Sequence, residues 1–205
     1  MSFKNKQAAL SYANKGWKVF PVTPNQKRPL TELAPQGHKN ATSDPAIIEQ
    51  WWTEHPTANI GLNLEASGLV CVDVDSYKED CAFDTYMQAR ELPETLQQCS
   101  ARGGTHYIFR SPPDAEYPGT RGEGVDVKHR GYILLEPSTF EARAYSWIND
   151  IKPADAPDWL LTAKSDRLTE DHPKTSIASQ VFAPRTSLDP SRLEAEASQG
   201  INWHS

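Results

Sequence analysis

The 205-residue sequence lacks the features that would place a protein in a membrane or outside the cell. It has no run of about 18 apolar residues, which excludes a membrane-spanning helix. Its N-terminal segment, MSFKNKQAAL, lacks the apolar core of a signal peptide. Cysteine is scarce, and Cys71, Cys81 and Cys99 show no C-x-x-C spacing. We interpret them as free thiols in a reducing compartment, and we expect a cytoplasmic protein without a disulfide framework or a zinc site.

The sequence also lacks an excess of basic residues. Its formal net charge of −6 argues mildly against a general nucleic-acid binder. The charge is uneven, since residues 1–50 contain seven Lys or Arg and three Asp or Glu, whereas residues 51–100 contain two and nine. A basic opening and an acidic middle suit a phosphate-bearing ligand beside a metal site, although ordinary surface variation produces the same gradient.

Helical and extended patterns alternate along the chain, which has no internal repeat. The strongest helical patterns cover residues 5–15, closed by Gly16, and the segment after a cap at Ser43 or Asp44, where Pro45 suits the first helical position. Weaker helical patterns cover residues 79–90 and 156–164, and strands are predicted at 17–22, 59–64, 69–75, 97–102, 105–110, 144–148 and twice within 124–138. Because helices and tight hairpins are interleaved, we expect an α+β fold with mixed sheets.

The composition divides the chain into a domain and a tail. We expect residues 1–164 to form the domain, within which residues 23–43 read as a long loop of the kind that often carries function. After residue 164 the apolar pattern fades, and residues 165–205 are interpreted as a linker or docking tail. A short helix is predicted there at residues 189–198, and the tail is the place where a further domain would attach.

Two carboxylates end an otherwise apolar strand in the segment LVCVDVDS (69–76). Side chains two positions apart in a strand share a face, so Asp73 and Asp75 lie on the same face as Cys71 and opposite the three valines. We expect the valine face to pack on the core and the acid face to be open, because an unpaired buried carboxylate is costly. Asp-x-Asp at the end of a strand suits divalent cations. Many strands end in this way for structural reasons alone.

A histidine follows a double glycine in the segment SARGGTHYIFR (100–110). The glycines predict a tight hairpin turn that allows close approach of a ligand or another backbone. His106 then lies on the open face of its strand, and Tyr107 and Phe109 point into the core. Arg102 precedes the turn and is a candidate phosphate contact, although in a two-residue hairpin it faces away from His106.

The segment GVDVKHRGY (124–132) adds a third acid and a base to the open face. Val125 and Val127 alternate with Asp126 and Lys128, and Arg130 follows in the next turn. Each of these patterns by itself is common on exposed strands. Together they give three acids on strand faces, a histidine after Gly-Gly and a lysine two residues after the third acid.

In this order the landmarks resemble the bifunctional primase–polymerase domain of the archaeo-eukaryotic primase superfamily. The resemblance covers roughly residues 5–160 and includes GWKVFPV, KRPLTELAPQGHKNATSDPAIIEQWW, NIGLNLEASGLVCVDVD, SARGGTHYIFR and GVDVKHRGYILLEPS. The chain departs from the family at His129-Arg130-Gly131, where Gly-Gly is frequent, and at Glu136-Pro137-Ser138, where Pro-Pro-Ser is frequent. Both departures touch the nucleotide pocket and therefore bear on substrate preference.

The resemblance implies an RRM-like catalytic half packed on a smaller α/β half, and a DNA primase/DNA polymerase. Such an enzyme makes and extends primers from nucleoside triphosphates on a single-stranded DNA template, in the replication of a phage, plasmid or other mobile element. Two Mg²⁺ or Mn²⁺ ions are implied, with three acids as ligands: Asp73, Asp75 and Asp126. His106 is implied to contact the incoming phosphates, and Lys128 and Arg130 to neutralise charge in the transition state.

Further contacts follow from the resemblance with less support from the residues themselves. Arg102 and Ser138 are implied to line the nucleotide site. Lys27, His38 and Lys39 of the long basic loop are interpreted as template or nucleotide contacts, and a solvated loop explains them equally well.

Two alternatives stay open from the sequence. The same acids would serve a metal-dependent phosphodiesterase or nuclease that uses water as the nucleophile. A non-catalytic RRM-like module would need exposed aromatic residues that stack on bases. The chain has no G-x-x-x-x-G-K-[ST] motif and so no P-loop helicase of its own. We expect a replicative helicase as a fused or associated partner.

Overall fold

A computed structural model describes residues 4–161 of the chain. The predicted domain boundary at residue 164, the tail at 165–205 and the helix at 189–198 lie outside this range and stay predictions. The α-helices are α1 (Lys4–Asn14), α2 (Pro45–Glu54) and α3 (Phe83–Met87), and short 3₁₀ helices cover Gly37–Asn40, Glu65–Ser67 and Asp158–Leu160. The strands are β1 (Val19–Val22), β2 (Asn59–Asn63), β3 (Leu69–Val74), β4 (Leu96–Cys99), β5 (Thr105–Arg110), β6 (Thr120–Gly122), β7 (Val125–Lys128), β8 (Tyr132–Leu135), β9 (Thr139–Phe140), β10 (Arg143–Ala144) and β11 (Ser146–Trp147).

The strands form two antiparallel sheets and a separate hairpin. The large sheet has the strand order β11-β4-β5-β3-β7-β6, the small sheet has the order β1-β2-β8, and β9 pairs with β10. The chain passes from the small sheet to the large one between β2 and β3, where Gly68 adopts a left-handed φ of +64°. It returns to the small sheet between β7 and β8, so β8 pairs with β2 although five strands of the large sheet lie between them in the sequence.

The hydrophobic core lies on both faces of the large sheet. On one face, Val70, Val72 and Val74 pack in a buried cluster, which confirms the predicted valine face. On the other face, Leu69 and Cys71 belong to a second cluster that also contains the apolar residues of α1, α2 and the small sheet. The expectation that this second face of β3 is open is therefore wrong, because the helices and the small sheet cover most of it.

Local sequence signals predict the start of α2 correctly, but they predict the β4–β5 turn as too short. Asp44 caps α2 by accepting a hydrogen bond from the Ala46 N–H at 2.9 Å, and Pro45 occupies the first turn as predicted. The β4–β5 turn is longer than a double glycine indicates: Cys99 pairs with Thr105, so residues 100–104 all belong to the turn. Residues 97–102 thus do not form one continuous strand.

The predicted α+β class agrees with this mixture of antiparallel sheets and few helices, which is compatible with a primase-like domain. The specific archaeo-eukaryotic primase fold, with its RRM-like half, stays a prediction. Across residues 4–161, no helix is both long enough and apolar enough to span a membrane.

We predict that Gly61→Ala destabilises the small sheet. A Cβ atom on Gly61 would lie 2.5 Å from the Phe20 ring and 2.9 Å from Val22, both fully buried. Overpacking of this kind costs roughly 1–3 kcal/mol in the free energy of unfolding, measured by urea denaturation. Gly119→Ala is the matched control, because nothing lies within 4 Å of its Cβ position. Equal stability of the two variants would contradict the described packing of β1 on β2.

Candidate active site

The register of the large sheet brings four polar side chains into one row across it. Gln98 of β4 is opposite His106 of β5, His106 is opposite Asp73 of β3, and Asp73 is opposite Asp126 of β7. Directly opposite residues in an antiparallel pair have neighbouring Cβ atoms on the same face. The predicted histidine and two of the three predicted acids are therefore adjacent across three strands.

Asp73 is buried at the centre of the row and is compensated by two neighbours. Its Oδ2 accepts a hydrogen bond from the Lys128 ammonium, and its Oδ1 lies 3.4 Å from His106 Nε2. Burial by itself would raise the pKa of Asp73, but the contacts with His106 and Lys128 outweigh it and hold the pKa well below its usual range. Burial would likewise lower the pKa of Lys128, and the interaction with Asp73 raises it instead. Both groups are thus charged at neutral pH.

Gln98, which the sequence analysis missed, fixes the orientation of His106. Its Nε2 donates to the Leu134 carbonyl at 2.9 Å, and its Oε1 accepts from the Glu136 N–H at 2.8 Å. Because a backbone carbonyl only accepts and an N–H only donates, these bonds determine which way the amide points. The second N–H of Gln98 then faces His106 Nδ1 at 3.1 Å, so Nδ1 accepts and the proton lies on Nε2, facing Asp73.

A cavity of about 220 Å³ opens over this charged group. Its walls include Asp73, His106 and Lys128 from the large sheet and Tyr132 from the small sheet. Lys27 of the long loop also lines it, and burial, followed by repulsion from Lys128, lowers the pKa of Lys27. The structure thus brings the loop residue Lys27 to the catalytic candidates, which the sequence left undecided.

Tyr145 is a second cavity residue that the sequence did not indicate. Its ring is buried and lies 5.9 Å from the His106 ring, and its backbone N–H donates to the Ser138 carbonyl. Neither Tyr145 nor Gln98 belongs to a recognisable local pattern. Both enter the site through strand pairing and through the turn after β8, so no sequence signal was available to find them.

The other two predicted acids lie beside Asp73 but outside this cavity. The Lys78 ammonium is 3.0 Å from Asp75 Oδ2, and the Thr120 hydroxyl donates to Asp126 Oδ1 at 3.0 Å. Asp126 borders a separate cavity of about 440 Å³ that Lys128 also lines. In the part of the chain that the structure describes, no group of three or more His, Cys, Asp or Glu side chains is arranged to hold a metal ion.

The double glycine of the β4–β5 turn allows the turn to pass close to the end of β3. A Cβ atom on Gly104 would lie 2.5 Å from the Val74 carbonyl oxygen, and Gly103 has a φ of +93°. The Ser76 hydroxyl donates to the Gly103 carbonyl at 3.3 Å. Only glycine fits this approach, which carries β5, and with it His106, into register beside Asp73.

The remaining predicted nucleotide contacts are more scattered. Arg102 lies in the β4–β5 turn, where its guanidinium donates two hydrogen bonds to Glu141. Arg130 lies beyond the end of β7, with Nε 3.7 Å from Glu65 Oε1, and does not line the cavity around Asp73. Ser138 is fully buried and accepts a hydrogen bond from the Ile60 N–H at 2.8 Å. The Ser138 hydroxyl thus faces the small sheet, and the predicted contact of Ser138 with nucleotide stays a prediction.

The two other residues of the long basic loop differ in their surroundings. The His38 ring stacks on Tyr132 with 5.9 Å between centroids, so His38 packs behind a residue of the cavity wall. Lys39 is exposed. The structure thus places Lys27 in the cavity, His38 behind its wall and Lys39 at the surface.

Comparison with known proteins identifies one family. The family described as bifunctional DNA primase/polymerase, N-terminal, matches residues 9–159. This range contains the whole row from Gln98 to Asp126 and every residue of the cavity. No curated protein matches the chain.

We predict that Gln98→Leu lowers the free energy of unfolding by roughly 3 kcal/mol, since each buried polar group left without a partner costs about 1–3 kcal/mol. The groups concerned are the Leu134 carbonyl, the Glu136 N–H and His106 Nδ1. Gln97→Leu is the matched control, because Gln97 is half-buried on the opposite face of the same strand. Urea denaturation compares the stabilities, and ¹⁵N NMR of the imidazole reports whether His106 keeps its proton on Nε2. A stable variant with an unchanged His106 spectrum would contradict the assignment.

Proposed function

The chain belongs to the bifunctional DNA primase/polymerase family, and from that membership we propose that it is a template-dependent nucleotidyltransferase that makes and extends DNA primers. The observation that carries the proposal is the pairing of Asp73 with both His106 and Asp126 across the centre of the large sheet. This pairing concentrates carboxylates and a proton donor beside a cavity lined by two lysines. We further propose that the enzyme replicates a phage, plasmid or other mobile element in the host cytoplasm, together with a replicative helicase.

The three acids carry oxygen donors of the kind that Mg²⁺ and Mn²⁺ prefer, but within residues 4–161 their positions do not form a group arranged to hold a metal ion. Asp73 and Asp126 are opposite in the sheet, and Asp75 follows Asp73 by two residues, just beyond the end of β3. Ammonium groups already neutralise two of them, Lys128 on Asp73 and Lys78 on Asp75. We propose that these acids would hold two ions after exchanging their present partners. Such ions, when bound, activate the attacking hydroxyl and stabilise the leaving pyrophosphate.

The chain's own residues would bind and orient the triphosphate. His106 has its proton on Nε2, facing Asp73, and Gln98 holds the ring in place, so Nε2–H would become available to a phosphate oxygen in the cavity once Asp73 exchanges this contact. When Lys128 leaves Asp73, its ammonium would become available to the same phosphates. Preorganised donors of this kind stabilise charge that develops in a transition state.

The two alternatives are less well supported. The aromatic residues of β5 are not available for base stacking, because Phe109 is fully buried and Tyr107 stacks on Phe83 at 5.5 Å between centroids. This confirms their predicted inward orientation and disfavours an RRM-like binding module. A metal-dependent nuclease would use the same acids, and only its reaction distinguishes it.

We predict that Asp126→Ala lowers Mn²⁺-dependent primer extension at least about a hundredfold, because it removes a proposed ligand of the ions that stabilise the reacting phosphates. Asp126 is half-buried and its carboxylate accepts a hydrogen bond from the Thr120 hydroxyl, so truncating the side chain spares the hydrophobic core. Asp155→Ala is the control, since Asp155 is an exposed acid paired with Arg110 at 2.8 Å. Extension is measured on a primed template with labelled nucleotides.

The same assay separates the alternatives. If Asp126→Ala and the double variant Asp73→Ala/Asp75→Ala extend primers as well as the wild type, the proposed function is wrong. Metal-dependent degradation of labelled DNA without nucleoside triphosphate would indicate the nuclease. Tight RNA binding in EDTA without any polymerisation would indicate a binding module.

A further inference from the structure

Four side chains of alternating aromatic and cationic character form a contiguous group that reaches the cavity through Lys27: Tyr77, Arg102, Phe140 and Lys27, hereafter the rim cluster. The Arg102 guanidinium lies 5.0 Å from the centroid of the Phe140 ring, and the Lys27 ammonium lies 4.8 Å from it. At the other end, the Tyr77 hydroxyl interacts with Asp75 and with Arg102. The result is a continuous series of aromatic and cationic groups beside the site.

The rim cluster is assembled from four separate segments of the chain. Tyr77 lies between β3 and α3, Arg102 in the β4–β5 turn, Phe140 on β9 and Lys27 in the long loop after β1. Lys27 also lines the cavity that contains Asp73, so the cluster is contiguous with the proposed catalytic site. Three loops and a short strand that converge beside a site form a surface that no single segment provides.

The rim cluster is exposed in a way that suits a planar ligand. Tyr77 is 44% exposed, and within residues 4–161 it is the one aromatic residue among the large exposed hydrophobic side chains. Lys27 is exposed, and the Arg102 side chain is 44% exposed. An exposed aromatic ring beside exposed cations is typical of surfaces that bind single-stranded nucleic acid.

The backbone beside the rim cluster is strained, and neighbouring contacts hold it in place. The two-residue turn between β9 and β10 consists of Glu141 and Ala142, with φ values of +53° and +61°, although such turns favour Asn-Gly. Glu141 accepts both hydrogen bonds from Arg102, and the Ala142 N–H donates to Asn25 Oδ1 at 2.7 Å. Strain of this kind persists where surrounding contacts over-determine the conformation, and here it fixes Arg102 and Phe140 in the rim cluster.

We propose that the rim cluster binds the single-stranded template, with a base stacked on Tyr77 and backbone phosphates on Arg102 and Lys27. Phe140 holds the two cations in place through its ring. This inference rests on the proposed function, because it takes the template as the partner of the same site. Single-stranded nucleic acid fits the rim cluster better than the triphosphate does, because Lys128 and His106 already supply a cation and a proton donor for the triphosphate inside the cavity. The rim cluster lies outside that cavity apart from Lys27 and is open to solvent.

Glu141 has a distinct part in this proposal. It is the acid that pairs with Arg102, and the charges of Arg143 and Lys27 also act on it, lowering its pKa after the larger effect of Arg102 itself. Its carboxylate therefore competes with a backbone phosphate for the guanidinium. Removing the charge of Glu141 should strengthen binding of the single-stranded template, whereas removing the charge of Arg102 or Lys27 should weaken it.

The test is fluorescence anisotropy with a labelled single-stranded oligonucleotide, the full chain, low salt and EDTA, so that no turnover occurs. We expect Tyr77→Ala to weaken binding about tenfold and Tyr77→Phe to restore it, because stacking needs the ring and not the hydroxyl. Lys27→Ala should lower the slope of log affinity against log salt by about 0.7, the value for one lost phosphate contact on a single strand. Glu141→Gln should bind more tightly than the wild type.

Lys15→Ala is the matched control for Lys27→Ala, because Lys15 also lies over an aromatic ring, 5.5 Å from the Trp17 centroid, and Trp17 lies outside the rim cluster. Unchanged affinity for the single-stranded oligonucleotide in both Tyr77→Ala and Lys27→Ala would overturn the inference. It would also be overturned if these variants lost affinity for a nucleoside triphosphate alone. Neither result bears on the proposed function, which stands or falls with the effect of Asp126→Ala on primer extension.

Discussion

The arrangement of the site depends on one buried carboxylate, Asp73. A carboxylate inside a sheet is tolerated only when charge and hydrogen bonds compensate the loss of water, and here Lys128 and His106 supply both. Each of these partners lies on a strand adjacent to β3. The pairing of the three central strands and the ionisation of Asp73 therefore depend on each other. The same group of charges forms the floor of the cavity.

The site lies where two layers of the protein meet. The small sheet and its helices cover the face of the large sheet that carries Leu69 and Cys71, and this cover stops short of the row that contains Asp73. Gln98 joins the two layers at this boundary, because it bonds to the backbone around Leu134 and to His106 at the same time. Packing of the layers and orientation of the histidine are thus coupled through a single amide.

Much of the local structure could be predicted from the sequence, because its causes are local. The cap of α2 at Asp44, the valine face of β3 and the inward aromatic residues of β5 all follow from spacing and side-chain chemistry. The length of the β4–β5 turn could not be predicted in this way. It depends on how closely Gly104 approaches the Val74 carbonyl, which is a contact between separate strands. Arg102, which the sequence placed in a strand, therefore lies in the turn.

By itself, the sequence identified the candidate site residues, because Asp73, Asp75, His106, Asp126 and Lys128 all stand in the stretch that the family matches. Only the tertiary structure decided which of them meet. Strand register places Asp73 between His106 and Asp126 and Gln98 beside His106. In the tertiary structure Lys27, from a loop distant in sequence, and Tyr145 also line the cavity, and Ser138 is buried. Register depends on which strands pair and on the core that covers them, and neither is encoded in any single stretch of residues.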